Sequence, residues 1–438
     1  MIRTHMVVQF IVFITIFLGL DYYVLRTWSR YVRKRNWRKV WQVAHWYMAP
    51  VMLGLLMYAS WHRWETGFLV QPDAILLGVA TFWYLPKVLF ALIFFVRDLK
   101  KFFVWGYNRM FPHKEPKTLK IKLDQPNPRL VEGRRKFIQT AGLTAAAAPF
   151  VITGDALLRK TYDFTTYNVD LVLPDLPRAL DGLRIAQLSD LHAGSFASDQ
   201  PMQEVRRIVQ GLKPDLIFIT GDYVNFHPKE LKTIYAELER LNAPLGVIGS
   251  LGNHDHYNTP EEHEILKKAL RQSGIHLLVN QNLTLDIDGA KLQIAGTDND
   301  GLGQRFADLP LALQGLKPEN PTILLAHDPT FWNREVSGKA PVDITLSGHT
   351  HGGQVGMSIL GKEISVAQFV YKQWAGLYRE NEQLLYVNRG IGTVGPLLRI
   401  GIPPEISHFT LRRAEHLASN KRSRFQRIND RIRERMTA

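Results

Sequence analysis

ITLSGHTHGGQ, residues Ile344 to Gln354, reads as a short buried strand running into a glycine-bracketed turn that carries His349 and His351. Two imidazoles two residues apart on extended backbone point to the same side, so the spacing predicts that both reach one small cluster of charge. Gly348 before the pair and Gly352-Gly353 after it remove side chains where something must approach the backbone closely. His-x-His also occurs on solvated loops. Its meaning here depends on what lies around it.

Upstream, from Tyr167, apolar strand runs alternate with amphipathic helices. Strands are expected at 183–189, 215–220 and 245–251, each followed by a helix, at 201–212, 228–241 and 260–274. Thr259-Pro260-Glu261-Glu262 supplies the cap and first turn of the third helix. Later strands are expected at 277–279, 283–287, 292–295, 323–326, 344–346 and 384–387. Alternation followed by mostly strands predicts an α/β layered sandwich.

The polar residues fall just past the C-terminal ends of these strands, where open α/β sheets bind their ligands. In chain order they are Ser189-Asp190-Leu191-His192, Thr220-Gly221-Asp222, Leu251-Gly252-Asn253-His254-Asp255, Ala326-His327-Asp328 and Gly348-His349-Thr350-His351-Gly352. Any one of them alone has an ordinary explanation. Asp190 or Asp222 could be a turn or cap residue, Asn253 a turn former and His327 a core histidine. Five complementary motifs at the ends of strands in one sheet do not. Carboxylate, imidazole and amide oxygen together suit divalent Mn, Fe or Zn. Asp190, His192, Asp222, Asn253, His327, His349 and His351 are too many donors for one ion, which predicts two, with Asp222 as the shared carboxylate. Two cations about 3.5–4 Å apart can activate a bridging water and hold both ends of an in-line displacement at phosphorus.

In order, DLH, GD, GNHD, H and GHTH resemble the signature of the metallophosphoesterase (calcineurin-like) superfamily, over roughly residues 165–412. DGLRIAQLSDLHAG, GHTHGGQVGMSILG and YVNRGIGTVGPLLRIGIPPEISHFTL narrow it to the membrane-associated bacterial phosphodiesterases of the YkuE/YaeI type. That resemblance implies a four-layer α/β/β/α sandwich and a metal-dependent phosphoric ester hydrolase. It assigns Asp190, His192 and His351 to one metal, Asn253, His327 and His349 to the other, and Asp222 to both. His254 would face the substrate and protonate the leaving oxygen, with Asp255 orienting its imidazole. The nucleophile would be metal-bound hydroxide, with no covalent intermediate. Arg389 and Arg399, in NRGIGTVGPLLRIG, are candidates to meet phosphate.

The rest of the chain bears on location. Residues 1–154 carry 22 Lys and Arg against 7 Asp and Glu, residues 155–411 carry 23 against 30, and residues 412–438 carry 9 against 3. The basicity belongs to the ends, which argues against nucleic-acid binding by the 155–411 segment and for an anionic membrane surface. With no cysteine there is no disulfide, thiolate nucleophile or Cys-ligated zinc. Residues 6–25, 40–61 and 74–96 are apolar runs long enough to span a bilayer, with Pro86-Lys87 inside the third as a kink with a snorkelling or bundle-facing lysine. Arg26–Lys39 holds seven basic residues and no acid, which places that loop in the cytoplasm of a bacterial inner membrane and the N-terminus outside. Residues 97–136 read as a basic cytoplasmic linker. Residues 137–154 then read as a fourth span or a twin-arginine-like signal anchor, giving three to four transmembrane helices. Either carries the catalytic part outside; a run packed on the globular domain would instead leave it cytoplasmic.

The substrate expected is a phosphodiester, pyrophosphate or phosphomonoester, with a UDP-diacylglucosamine-type lipid pyrophosphatase of envelope synthesis as the alternative. A non-catalytic binding protein on the same fold and a nuclease are the remaining rivals. The complete ligand set disfavours the first, and the acidic 155–411 segment disfavours the second.

Overall fold

Among the described residues, four long helices occupy the first third of the chain: α1 (Ile2–Tyr31), α2 (Arg38–Thr66), α3 (Gln71–Met110) and α4 (Pro128–Asp155). The computed structural model describes residues 2–31, 38–66, 69–111, 128–359 and 362–414. These form two units, one of residues 1–62 and 75–158, the other of 63–74 and 159–438. The three expected apolar runs lie within α1, α2 and α3. Among the described residues one helix, α3, is long and apolar enough to cross a membrane by length and composition.

Lys87 is buried and faces the bundle. Its ammonium is paired with the buried Asp21 carboxylate of α1 and lies 3.5 Å from the Trp83 ring centroid. His45 of α2 stands 3.3 Å from the same carboxylate. The linker expected from residue 97 does not begin there. Helix α3 continues to Met110, because 97–110 contains no proline and only one glycine to stop it. The middle of that linker, 112–127, lies outside the described residues, as does the tail from 415. Helix α4 starts at Pro128, nine residues before the expected span, with proline at the first helical position where its missing N–H costs nothing.

The second unit holds two six-stranded sheets. The first sheet comprises β1 (Thr165–Leu173), β2 (Arg184–Leu188), β3 (Leu216–Thr220), β4 (Val247–Ser250), β5 (Ile275–Leu277) and β16 (Glu405–Arg413), in the order β1-β16-β2-β3-β4-β5. The second comprises β6 (Gln281–Ile287), β7 (Ala290–Gly296), β10 (Thr322–Leu325), β11 (Ile344–Ser347), β14 (Gly376–Glu380) and β15 (Gln383–Val387), in the order β14-β15-β11-β10-β7-β6. Two small hairpins, β8–β9 (Asp300–Gly301 with Gln304–Arg305) and β12–β13 (Gly356–Ile359 with Lys362–Ser365), stand apart from them. Strands β2 to β5 pair in parallel, as do β7, β10, β11 and β15. The central strands are apolar on both faces because both faces are covered.

One cluster, including Ile185, Phe218, Ile323, Leu346 and Tyr386, joins the facing sides of the two sheets. A second packs the first sheet under α5 (Gln200–Leu212), α6 (Tyr235–Glu239) and α7 (Pro260–Gln272) through Met202, Val209, Leu238 and Leu266. A third sets Trp332 and Val336 against Leu324 and Leu385 of the second sheet. The expected cap of α7 is present: Thr259 Oγ accepts the Glu262 N–H, and the Glu262 carboxylate accepts the Thr259 N–H, both at 3.2 Å. The single helix expected over 228–241 is instead a 3₁₀ turn, Pro228–Thr233, followed by the short α6. Glu230 explains the break. It turns inward and its carboxylate accepts the N–H groups of Gly194, Asn225, Phe226 and His227.

Candidate metal centre

The ligand-type residues follow β2, β3, β4, β10 and β11, and hydrogen bonds lock these five strand ends together. The Asp190 N–H donates to the Gly221 carbonyl at 3.0 Å, and the His192 N–H to the Asp222 carbonyl at 3.0 Å. Gln187 Nε2 crosses between the sheets to the Ser347 carbonyl at 3.0 Å. His327 Nδ1 donates to the Thr220 carbonyl at 2.7 Å, leaving Nε2 for the site.

The histidine pair is not on extended backbone. Strand β11 ends at Ser347, and His349 and His351 take φ of 71° and 51° in the left-handed region. Asp190 (51°), His192 (44°) and Asp222 (57°) do the same. Each such residue costs about 1–2 kcal/mol, a strain that persists only where surrounding contacts impose it. Glycines make the approach possible. A Cβ on Gly348 would collide with Ser189 Oγ and the Asp190 carboxylate, and one on Gly252 with the Asp222 carboxylate.

Three overlapping groups result, each with its ligand atoms within 4.8 Å of one another: Asp190, His192 and His351; Asp222, His327 and His349; and His192, Asp222 and His254. In the first, His351 Nε2 is 3.0 Å from His192 Nε2 and 3.3 Å from Asp190 Oδ1. In the second, His327 Nε2 is 3.0 Å from Asp222 Oδ2. Asp222 lies between them, with His192 Nε2 at 3.5 Å. Asn253 donates Nδ2 to the Tyr257 hydroxyl at 2.9 Å and keeps its Oδ1 buried without a hydrogen-bond partner.

Electrostatics give this arrangement a reason to hold cations. Burial and repulsion from Asp222 push Asp190 up to about 6 and Asp255 up to about 7. Burial also pushes Asp222 up, but His327, His254 and His192 outweigh it and hold its carboxyl well below the usual range. Burial lowers His349 to about 4 and holds His192 and His351 well below the usual imidazole range, so these three present neutral lone pairs. Burial would lower His327 too, yet Asp222 and Asp190 hold it up to about 10. Two buried carboxyls, those of Asp190 and Asp222, with lone-pair imidazoles and an unpartnered amide oxygen form a donor set that fits a divalent cation.

Two roles expected from the sequence differ in the structure. Asp255 does not touch the His254 imidazole. Its carboxylate accepts the N–H groups of Asp222, Tyr223 and Gly252, each at 2.9 Å, and of Val224 at 3.4 Å. The Asn225 carbonyl orients His254 instead, accepting from Nδ1 at 2.8 Å and leaving Nε2 to the site. Arg389 and Arg399 are committed inside the fold. Arg389 is buried and paired with Glu405 and Glu363. Arg399 is fully buried and donates to the carbonyls of Arg389, Gly390 and Gly392 at 2.6–3.0 Å.

The sequence reading missed Tyr371, whose hydroxyl is 3.0 Å from His349 Nε2, and Tyr257, whose ring centroid is 4.7 Å from that of His254. Burial, with the Asp328 and Asp190 carboxylates, pushes the Tyr371 hydroxyl up, so it remains a donor at neutral pH. Tyr257 follows Asn253 by four residues and shares its turn, a faint local signal. Tyr371 lies twenty residues beyond His351, and no spacing in the sequence points to it.

Carboxylate, imidazole and amide oxygen converging at the C-terminal ends of parallel strands are the donor set of a metal-binding protein. Similarity specifies which kind. The calcineurin-like phosphoesterase family matches residues 183–353, and a probable calcineurin-like phosphoesterase transmembrane domain matches residues 6–159. The chain is 34% identical over 291 residues, 64% of its length and 97% of the relative's, to the uncharacterized metallophosphoesterase YkuE of Bacillus subtilis. It is 28% identical to phosphodiesterase YaeI of Escherichia coli over 52% of this chain and 82% of that one. It is also 28% identical to the UDP-2,3-diacylglucosamine pyrophosphatase LpxG of Chlamydia muridarum, over 61% and 95% respectively. The chain belongs to the calcineurin-like metallophosphoesterases and is a membrane protein.

Proposed function

We propose that this chain is a membrane-anchored phosphoesterase that uses two divalent cations. Asp190, His192 and His351 would hold one, Asn253, His327 and His349 the other, and Asp222 both. The observation that carries this reading is the place of Asp222 between two buried donor groups, its Oδ2 3.5 Å from His192 Nε2 of one and 3.0 Å from His327 Nε2 of the other. When bound, the cations supply Lewis-acid polarisation of a phosphoryl oxygen and lower the pKa of water. The Asn225 carbonyl fixes His254 with its proton on Nδ1, so Nε2 faces the site; once protonated there, it can donate to a phosphoryl or leaving oxygen. Tyr371 is a second donor beside His349.

The substrate is a phosphodiester or pyrophosphate. A nucleoside-diphosphate-linked acyl sugar is the lipid-borne candidate, supported by the name of the Chlamydia relative. Full-length protein in nanodiscs is expected to hydrolyse an aryl phosphodiester with added Mn²⁺ and to stop on chelation. Adding the acyl-sugar nucleotide tests the lipid-borne version. No Mn²⁺-dependent hydrolysis of either compound overturns the reading.

Charge in the α1–α2 loop supports the catalytic unit lying outside the cytoplasm. A single Ile265→Cys in this cysteine-free chain, at an exposed position on α7, is expected to react with a membrane-impermeant maleimide in cells with a permeable outer layer. Labelling only after lysis reverses the topology.

A further inference from the structure

The β12–β13 hairpin is amphipathic in the wrong sense for a water-facing element. Met357 lies opposite Ile364, Ser358 opposite Glu363, and Ile359 opposite Lys362. Directly opposed residues share a face, and successive residues alternate between faces. The polar side of the hairpin turns toward the domain at Ser365 and Glu363, while Ser358 on the other strand is exposed. Ser365 donates to the Gly352 carbonyl, and Glu363 accepts from Arg389. The apolar side turns out, with Met357 56% exposed, Ile359 49% and Ile364 39%. The strip continues through Val366 to Phe369 and Val370, which are 82% and 74% exposed.

A patch of this kind on a soluble surface marks an interaction site. Three observations identify its occupant. Lys362 on the same face and Lys372 just beyond the strip are both exposed, and the one acidic residue of the hairpin, Glu363, points inward to Arg389. The two most exposed apolar side chains are neighbours at the end of a turn, a wedge rather than a flat face. The chain also carries a transmembrane domain, which keeps this unit within reach of a bilayer. Apolar side chains bracketed by lysines suit the headgroup layer of an anionic membrane, with ammonium groups on lipid phosphates.

We propose that the outward face of residues 356–359 and 362–370 inserts into an anionic bilayer through Met357, Ile359, Ile364, Val366, Phe369 and Val370, holding the metal centre at the lipid surface. The link to the centre is short. Tyr371, next in sequence, reaches His349, and Gly352, which accepts from Ser365, adjoins His351. The inference does not depend on the proposed chemistry, and its test does not use turnover.

The chain has no cysteine, so Ile359→Cys, Phe369→Cys and, as a control on α7, Ile265→Cys can each carry one environment-sensitive fluorophore. Each full-length protein is placed singly in nanodiscs of phosphatidylcholine and phosphatidylglycerol. A doxyl-labelled lipid is expected to quench the labels at 359 and 369 at least about twofold while iodide leaves them untouched, and the label at 265 should behave oppositely. Iodide quenching at 359 and 369 equal to that at 265, without doxyl quenching, overturns the proposal. Protection from both quenchers that appears only with two copies per disc also overturns it, in favour of a self-association surface.

Discussion

The Asp222→Asn variant is expected to hydrolyse an aryl phosphodiester about 10³-fold more slowly and to purify with less bound metal. A thousandfold is about 4 kcal/mol of barrier, the upper end of what one well-placed electrostatic group supplies. Asp222 earns that end because its oxygens serve both donor groups, with His327 at 3.0 Å and His192 at 3.5 Å, while its Oδ1 accepts the His254 N–H at 2.8 Å. Asparagine keeps the shape and one acceptor oxygen and removes only the charge, so the backbone turn survives. A proton measurement separates charge from shape. Burial pulls the His327 imidazole down, and Asp222 with Asp190 holds it up to about 10. In the metal-free protein the stability this pair contributes is therefore full below 6.5 and is lost as the pH rises through about 10. At about pH 8 the wild-type protein is expected to release a proton from His327 when Mn²⁺ binds, and its affinity to rise with pH. In the variant the largest support of the His327 proton is gone while burial still opposes it, so that release should shrink in calorimetry across buffers of different ionisation enthalpy. Activity within tenfold of wild type, with unchanged proton release, would remove Asp222 from the shared position.

The strand ends were legible in the sequence because their chemistry is local. An apolar run closed by Asp, Asn or His needs no partner to be seen, and each expected run coincides with an observed strand to within a few residues. Relations between distant segments were not legible. Strand β1 pairs in parallel with β16 from Thr165 opposite Glu405 to Leu173 opposite Arg413, and β1 alternates too loosely between exposed and buried positions to announce itself. Arg389 and Arg399 stand in a Gly-rich stretch that suggests phosphate. The sequence shows their charge but not that Glu405 and a ring of carbonyls already consume it. The sequence leaves Lys87 open between snorkelling and facing the bundle, and only Asp21, sixty-six residues away, decides it by supplying the counter-charge. The spacing of His349 and His351 predicts strand geometry, whereas left-handed backbone at both positions directs one imidazole to each donor group.

Asp255 shows how adjacency in sequence can mislead, and its substitution is expected to cost more stability than any other at the centre. A carboxylate beside a histidine suggests an imidazole partner. Here the 3₁₀ turn His254–His256 carries Asp255 away from that ring and under two loops. Its fully buried oxygens are shared by four backbone N–H groups from the turns after β3 and β4. Removing them leaves buried donors unsatisfied at roughly 1–3 kcal/mol each, partly relieved by relaxation. Asp255→Ala is therefore expected to lose about 4 kcal/mol, the range in which a buried network has been broken. For a unit of this size that is about 10 °C in the apparent melting temperature at a fixed scan rate. Asp255→Asn should lose nearly as much, because its amide NH₂ would face two of the N–H donors it replaces an acceptor for. His254→Ala should leave the melting temperature within about 2 °C, since that imidazole's hydrogen bond is to a single carbonyl. The contrast decides the role. An Asp255 that merely oriented the His254 ring would leave stability unchanged in the Asp255→Asn protein and show itself only in the rate. A residue that holds the Asp222 and Asn253 turns in register lowers the melting temperature and metal content together, and would do so even in a protein already lacking the His254 imidazole.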